Sequence, residues 1–271
     1  MKAELKIQRT PARQAIRRRN SLKGASVTPI QEISSLSWSS FKAVDLPGLF
    51  GTTLATRGKF YFRGQGSSLW PLQSSFDRWY SSAANVKGLS KKDAAERFLT
   101  LFREESSRLS PDPGLAASQD QLLALAQHYG LPTRLLDWTE SPYVAAFFAF
   151  SGIASAPDSG NLVAIWCLDV TSRIWGEEQG LTLLSGTSPY NERLKSQLGK
   201  FTLLQSPFDT VEDHVAQCDK TGGTLRKVTL PASEARAALS DLDFMGINYS
   251  SIYPGLDGSA RAARLRMLLE Q

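Results

Sequence analysis

The chain has few of the residues that build metal centres and disulfide frameworks. Among its 271 residues there are two cysteines, Cys167 and Cys218, and two histidines, His128 and His214. Two thiols cannot form a disulfide framework or a four-cysteine zinc site. Two histidines likewise exclude a multi-histidine metal centre. We therefore expect a protein that works without a bound metal.

Long apolar runs are also lacking. The longest, residues 143–150, is far shorter than the roughly 20 residues that a bilayer-spanning helix requires. The first six residues, MKAELK, do not contain the apolar core of a secretion signal. These features predict a cytoplasmic protein that does not enter a membrane.

The positive charge of the chain is concentrated at one end. Residues 1–24 contain eight lysines and arginines against Glu4, which gives a net charge of +7. Because the whole chain carries +5, the other 247 residues sum to −2. We interpret residues 1–24 as a flexible basic arm, either a solvated tail or a contact for nucleic acid or an acidic protein surface.

The rest of the chain, residues 25–271, is predicted to form one α+β domain. Hydrophobic residues make up 42% and charged residues 21%, which is ordinary for a globular protein. Helices and strands mix without a regular βαβ alternation, so we expect a mixed, mostly antiparallel sheet flanked by helices. Periodicity predicts helices over residues 93–108, 119–129, 142–150, 231–242 and 260–271, and strands over 60–62, 135–138, 162–170, 201–204 and 225–230. It also predicts helical spacing over 30–41 and an extended segment at 252–254, and it places His214 at the surface.

Arg63 ends a short β-prone run and is followed by Gly64 and Gln65. The planar guanidinium of an arginine suits a phosphate or a carboxylate, and a glycine lets a ligand approach the backbone. An ion pair that pins the sheet edge explains Arg63 equally well, so both interpretations stay open here.

The segment 127–142, QHYGLPTRLLDWTESP, is the richest in chemistry. It sets a histidine, hydroxyls, an arginine, two carboxylates and a tryptophan between two apolar helices. Buried polar groups need partners, so we expect several of them to converge. We predict one cavity surrounded by Arg63, His128, Arg134, Asp137 and Trp138.

These motifs resemble the FRG domain family, which is named for a Phe/Tyr-Arg-Gly motif. The matching segments are residues 62–65, FRGQ, and 127–139, QHYGLPTRLLDWT, followed by QLGKFT at 197–202 and elements at 242–258. The resemblance implies a domain of uncharacterised activity found in bacteria and phages, often near defence genes. It extends over about residues 36–268.

The order of these motifs is also similar to that of ADP-ribosyltransferases, which use NAD. That similarity implies that Arg63, with Gly64, Gln65, Arg134 and Trp138, binds the nucleotide, and that Thr139 or Ser141 steadies the ribose. The similarity also implies that Gln197 lies near the position of the glutamate that stabilises the positively charged transition state in those enzymes. A neutral amide cannot supply the missing negative charge, so Asp137 or Glu140 would have to do so, with His128 as a further candidate.

Three functions therefore remain open from the sequence. The first is an NAD-dependent ADP-ribosyltransferase or NAD glycohydrolase, which would act as a bacterial toxin or phage-defence effector. The second is a non-catalytic module that binds a nucleotide or nucleic acid. The third is a metal-free hydrolase that uses His128 and Asp137 as acid and base.

Removal of residues 1–24 tests the division of the chain. We expect the truncated protein to fold and to melt within about 2 °C of the full chain, because a polar arm without an apolar face adds little to a core. Thermal unfolding followed by circular dichroism measures this. A melting temperature many degrees lower would show that the arm is part of the domain.

Overall fold

The computed structural model describes residues 30–51, 58–82, 88–107, 118–155, 160–185, 197–220 and 222–270. The predicted arm at residues 1–24 lies outside them. A seven-stranded open sheet forms the centre of the domain. Its strands are β1 (Gln31–Ser34), β2 (Phe60–Gln65), β3 (Leu135–Thr139), β4 (Leu162–Asp169), β5 (Leu181–Ser185), β6 (Gly199–Leu204) and β7 (Leu225–Pro231).

The strands lie in the order β1-β7-β4-β2-β3-β6-β5. Only the β1–β7 pair is parallel, and the other five pairs are antiparallel. The prediction of a mixed, mostly antiparallel sheet in an α+β domain is confirmed.

Helices cover both faces of this sheet. They are α1 (Trp38–Ser40), a π-helical turn (Phe41–Asp45), α2 (Leu46–Phe50), α3 (Ser75–Ser82), α4 (Lys91–Ser106), α5 (Gln119–His128), α6 (Pro142–Ser151), α7 (Val211–Cys218), a 3-10 turn (Ala232–Glu234), α8 (Ala235–Phe244), α9 (Tyr249–Ile252) and α10 (Leu256–Leu269). Within the described ranges, none of these helices has the length and hydropathy to cross a bilayer.

Helix α6 is buried as its all-apolar sequence predicts. The Ser141 hydroxyl caps it by accepting a hydrogen bond from the backbone N–H of Val144 at 3.2 Å, and Pro142 occupies its first turn. Six of its ten residues are buried between the sheet and α8, and the largest are Phe147 and Phe150. This helix fixes one face of β2.

Gly64 makes the close contact between α6 and β2 possible. A Cβ atom at this position would lie 1.8 Å from the carbonyl oxygen of Ala145 and 2.7 Å from the backbone nitrogen of Ala149. The missing side chain of Gly64 thus admits the backbone of α6. The expectation that Gly64 also lets a ligand approach the backbone stays a prediction.

Four local predictions need correction. Residues 31–34 form a strand instead of a helix, because they pair with β7. Residues 249–252 form a short helix capped by Asn248, so the extended segment begins later than expected. Strand β5 and helices α3 and α7 were not predicted. His214 is fully buried on α7 and not at the surface, and its burial lowers the pKa of its imidazole.

Gly64→Ala tests the contact between α6 and β2. The added methyl group would overlap helix backbone that cannot rotate away, so we expect a loss of about 3 kcal/mol in the free energy of unfolding. Chemical denaturation measures it.

Gly48→Ala is the matched control, since a Cβ atom there meets nothing within 4 Å. It should change the stability by less than about 1 kcal/mol. Equal stability of the two variants would contradict the packing role of Gly64.

Candidate functional site

A cleft opens where the central sheet divides. Strands β2 and β3 pair at one position, Phe62 with Thr139, after which β2 follows β4 and β3 follows β6. The resulting cavity has a volume of about 800 Å³. Beside Arg63, His128, Asp137 and Trp138, it is lined by Gln65, Trp70, Arg78, Gln127, Thr139, Phe148, Gln197 and Tyr253.

Arg63 occupies the point of division. Continuing the antiparallel register would bring Gly64 opposite Asp137, but the Arg63 side chain reaches there instead. Its Nη1 donates a hydrogen bond to the main-chain oxygen of Asp137 at 2.7 Å. The guanidinium is largely buried, and its Nε has no hydrogen-bond partner. Desolvation lowers the pKa of Arg63, while the negative charge of Asp137 opposes this shift.

The Asp137 carboxylate faces the open cleft. Its side chain is 62% exposed, and its Oδ2 lies 3.8 Å from Arg63 Nη1. Its Oδ1 accepts a hydrogen bond from Gln127 Nε2 at 2.5 Å, and the Thr133 hydroxyl in turn donates to Gln127 Oε1. The carboxylate is thus held in one orientation while remaining accessible to a ligand.

Two influences of opposite sign act on the acidity of Asp137. The protein atoms that surround it in the cleft raise its pKa, and the charge of Arg63 and the hydrogen bond from Gln127 lower it. Desolvation is the larger effect, so the pKa lies above the ordinary value for an aspartate. For such a group, folded-state stability falls as the pH rises from the unfolded to the folded pKa.

The polar groups of several predicted binding residues are already engaged within the protein. Buried Gln65 donates to the carbonyl of Pro71 at 3.1 Å and accepts from Trp166 Nε1 at 2.6 Å. The Thr139 hydroxyl donates to the main-chain oxygen of Gln197 at 2.7 Å, and Trp138 Nε1 donates to the Thr202 hydroxyl at 3.0 Å. These residues shape the cleft by holding its walls.

Three predicted site residues lie outside the cleft. Arg134 lines a second cavity, so the prediction that it joins Arg63 is wrong, whereas His128, Asp137 and Trp138 do join Arg63. Glu140 and Ser141 line a third cavity. There Glu140 pairs with Lys200 at 3.1 Å, and Ser141 serves as the cap of α6. The structure therefore leaves Asp137 as the carboxylate nearest to Arg63 among these candidates.

Sequence reasoning missed five residues of the cleft. Gln127 opens the central motif, but its contact with Asp137 depends on how α5 docks against β3. Arg78 adds a second guanidinium from α3, a helix that was not predicted. Trp70 is 57% exposed and lines the cleft. Tyr253 and Phe148, which pack edge to face against each other, also line it.

The Gln197 amide also reaches the wall of the cleft. Its Nε2 donates to the carbonyl of Ile252 at 3.4 Å. This hydrogen bond connects Gln197 to the last residue of α9.

In the described part of the chain, no three His, Cys, Asp or Glu residues cluster so that they could hold a metal ion.

Comparison with known families identifies one match. Residues 58–157 match the model of the FRG domain. The matched range includes Arg63 and the whole of the segment 127–139, and it ends before Gln197. No curated protein and no solved structure matches the chain.

The coupling between Arg63 and Asp137 can be measured directly. In Arg63→Gln the positive charge is gone, and the amide is two bonds too short to replace Nη1 at the main-chain oxygen of Asp137. We expect the pKa of Asp137 to rise further, because the guanidinium lowers it in the native protein. Carbon-detected NMR titration of the aspartate carboxyl groups provides the measurement.

Arg78→Gln is the control, since Arg78 exerts the weakest of the influences on Asp137. It should raise the pKa of Asp137 by less than Arg63→Gln does. An unchanged or lower pKa in the Arg63 variant would show that the two groups are not coupled.

Proposed function

We propose that this chain, whose residues 58–157 match the FRG domain, binds a nucleotide such as NAD in the cleft. There it cleaves the bond between nicotinamide and ribose and passes the ADP-ribose group to another molecule or to water. The observation that carries the proposal is the division of the sheet, which sets Arg63 beside the accessible carboxylate of Asp137. A cavity of about 800 Å³ falls in the range typical of ligand sites.

Two guanidiniums support recognition of a pyrophosphate. Arg63 Nη1 donates a hydrogen bond to the carbonyl of Asp137, and the charge of Arg63 is largely buried at the cleft. Arg78 is exposed and lines the same cleft, and its Nη1 donates a hydrogen bond to the carbonyl of Gln73. Buried or paired arginines bind phosphate oxygens more strongly than exposed lysines do, because their planar forks make two bonds at once.

Aromatic rings support binding of the planar parts of a nucleotide. Trp70 presents an exposed indole at the cleft, and Phe148 and Tyr253 form a second aromatic wall. Stacking on such rings is worth about 1–3 kcal/mol per base and tolerates different bases. The cleft therefore offers both charged groups and aromatic rings, the two kinds of contact that a dinucleotide requires.

Asp137 is the group we assign to the chemical step. Cleavage of the bond between nicotinamide and ribose leaves positive charge on the sugar, and a carboxylate close to it stabilises that transition state. Glu140 is paired with Lys200 elsewhere, and the Gln197 amide is neutral. Arg63 and Gln127 orient the Asp137 carboxylate for this role.

With water as the acceptor, the reaction balances without a further reagent. NAD and water give ADP-ribose, nicotinamide and a proton. With a nucleophile on another molecule, the same step transfers ADP-ribose to it. Consumption of NAD or modification of a target would suit a toxin or a phage-defence effector.

Binding without turnover is the second candidate function. Two observations favour it. The neutral amide of Gln197 cannot supply the negative charge that the transition state needs, and the Asp137 carboxylate already interacts with Arg63 and Gln127. In this case the cleft holds the nucleotide and leaves its bonds intact.

Release of nicotinamide from NAD is the direct test. We expect Asp137→Asn to bind NAD as the native protein does and to lose about 10²–10³-fold in turnover, because only the transition state needs the negative charge. Arg63→Lys keeps one charge but loses the fork, so NAD should bind about tenfold more weakly or worse. Calorimetry and chromatography of the products measure the two effects.

Asp257→Asn and Arg97→Lys are the matched controls, since both residues are exposed on helices. Neither should alter binding or turnover. Native protein that binds NAD without releasing nicotinamide would favour the second candidate. A folded Arg63→Lys protein with unaltered binding and turnover would contradict the role of Arg63.

A further inference from the structure

A second cavity lies on the other side of α5 from the cleft. Its volume is about 410 Å³, and it is enclosed by α4, α5, β5 and β6 together with residues 131–134. Helix α5 contributes Leu123 to this cavity and Gln127 to the cleft. The two cavities therefore share a helix but not their lining residues.

Arg134 is the buried charge on this cavity. It is 8% exposed, and its Nε has no hydrogen-bond partner. Among the described residues, no carboxylate forms an ion pair with its guanidinium and no acceptor forms a hydrogen bond with it. A guanidinium carries five N–H donors, and the Nε–H of Arg134 is buried without a partner.

The carboxylates whose charge acts on Arg134 are paired with another cation. Asp77 and Asp209 act on Arg134 only through longer-range attraction. Both of them pair with Lys91, whose Nζ lies 2.8 Å from Asp77 and 2.6 Å from Asp209. The Arg134 charge is thus balanced at a distance but has no direct contact.

The other charges on the cavity are solvent-exposed. Lys92 and Glu96 have side chains that are 80% and 56% exposed, and Asp120 and Glu177 are also exposed. Water and salt screen such groups, whereas a desolvated guanidinium is screened much less. Arg134 therefore determines which charge is favourable inside the cavity.

The rest of the wall combines apolar and neutral polar residues. Its apolar part is formed by Phe98 and Leu99 from α4 and by Leu123, Leu184 and Leu203 from α5, β5 and β6, while Gln119, Thr133, Thr182 and Gln205 are polar. A free inorganic anion would gain nothing from the apolar part of this wall. A ligand with an apolar body and one acidic end would use both the wall and the arginine.

We propose that this cavity binds a small carboxylate with an apolar body, whose carboxylate group pairs with Arg134. The two oxygens of the ligand take donors of the guanidinium, and the hydrocarbon displaces water from the leucine and phenylalanine wall. Nothing in this proposal depends on what the cleft binds.

Hexanoate is the probe, and calorimetry or saturation-transfer NMR on the full chain detects its binding. We expect hexanoate to bind and hexan-1-ol, which has the same hydrocarbon without the charge, to bind at least about tenfold more weakly. Arg134→Met should lose hexanoate binding while it keeps the far-ultraviolet circular dichroism spectrum of the native protein. Arg97→Met, an exposed arginine on α4, is the matched control and should bind hexanoate normally.

A second pair of variants leaves Arg134 in place, in case its replacement unfolds the protein. Ala95 lines the cavity on α4, so Ala95→Phe should fill it and abolish hexanoate binding, while Ala95→Ser should not. Equal binding of hexanoate and hexan-1-ol would overturn the proposal. So would phosphate binding at the site without hexanoate binding, or normal hexanoate binding in folded Arg134→Met or Ala95→Phe.

Discussion

The hydrogen bond from Arg63 to the main-chain oxygen of Asp137 is the interaction on which the candidate site depends. It satisfies a carbonyl that the next rung of the sheet would otherwise have satisfied. Strands β2 and β3 are then free to separate after a single paired position. The cleft is therefore produced by a side chain that replaces backbone pairing, and the same side chain becomes part of the cleft wall.

The negative charge of Asp137 partly offsets the desolvation of Arg63. Desolvation lowers the pKa of Arg63 and raises that of Asp137, while each charge opposes the shift of the other. Gln127 and Thr133 extend the network and hold the carboxylate. A polar network of this kind favours one arrangement, because loss of any member leaves another member without its partner.

Much of the fold could be predicted from the sequence, because it follows local periodicity. The apolar run of α6 and the strand pattern of β4 are visible in the residues themselves. The parallel pairing of β1 with β7 is not, because the partner lies almost 200 residues away. His214 was misplaced because its neighbours are acidic, although Val211, His214 and Val215 share the buried face of one helix.

The candidate site was predictable to a similar extent. Arg63 and Asp137 carry their chemistry in recognisable motifs, and the structure brings them together. Arg134 precedes β3 and lines the cavity on the other side of α5 from the cleft, so its separation from Asp137 depends on where α5 docks against the sheet. Arg78 and Gln127 reach the cleft through helix docking, which no local pattern reveals.

The contact of Gly64 with α6 also decides how the cleft can respond to a ligand. Because helix backbone lies directly against strand backbone there, the wall that carries Arg63 has no intervening side chain that could change rotamer. The opposite wall is different, since α5 meets Asp137 through the Gln127 side chain. Closure around a ligand would therefore be one-sided. The wall formed by β2 and α6 would stay fixed, and α5 would move toward it.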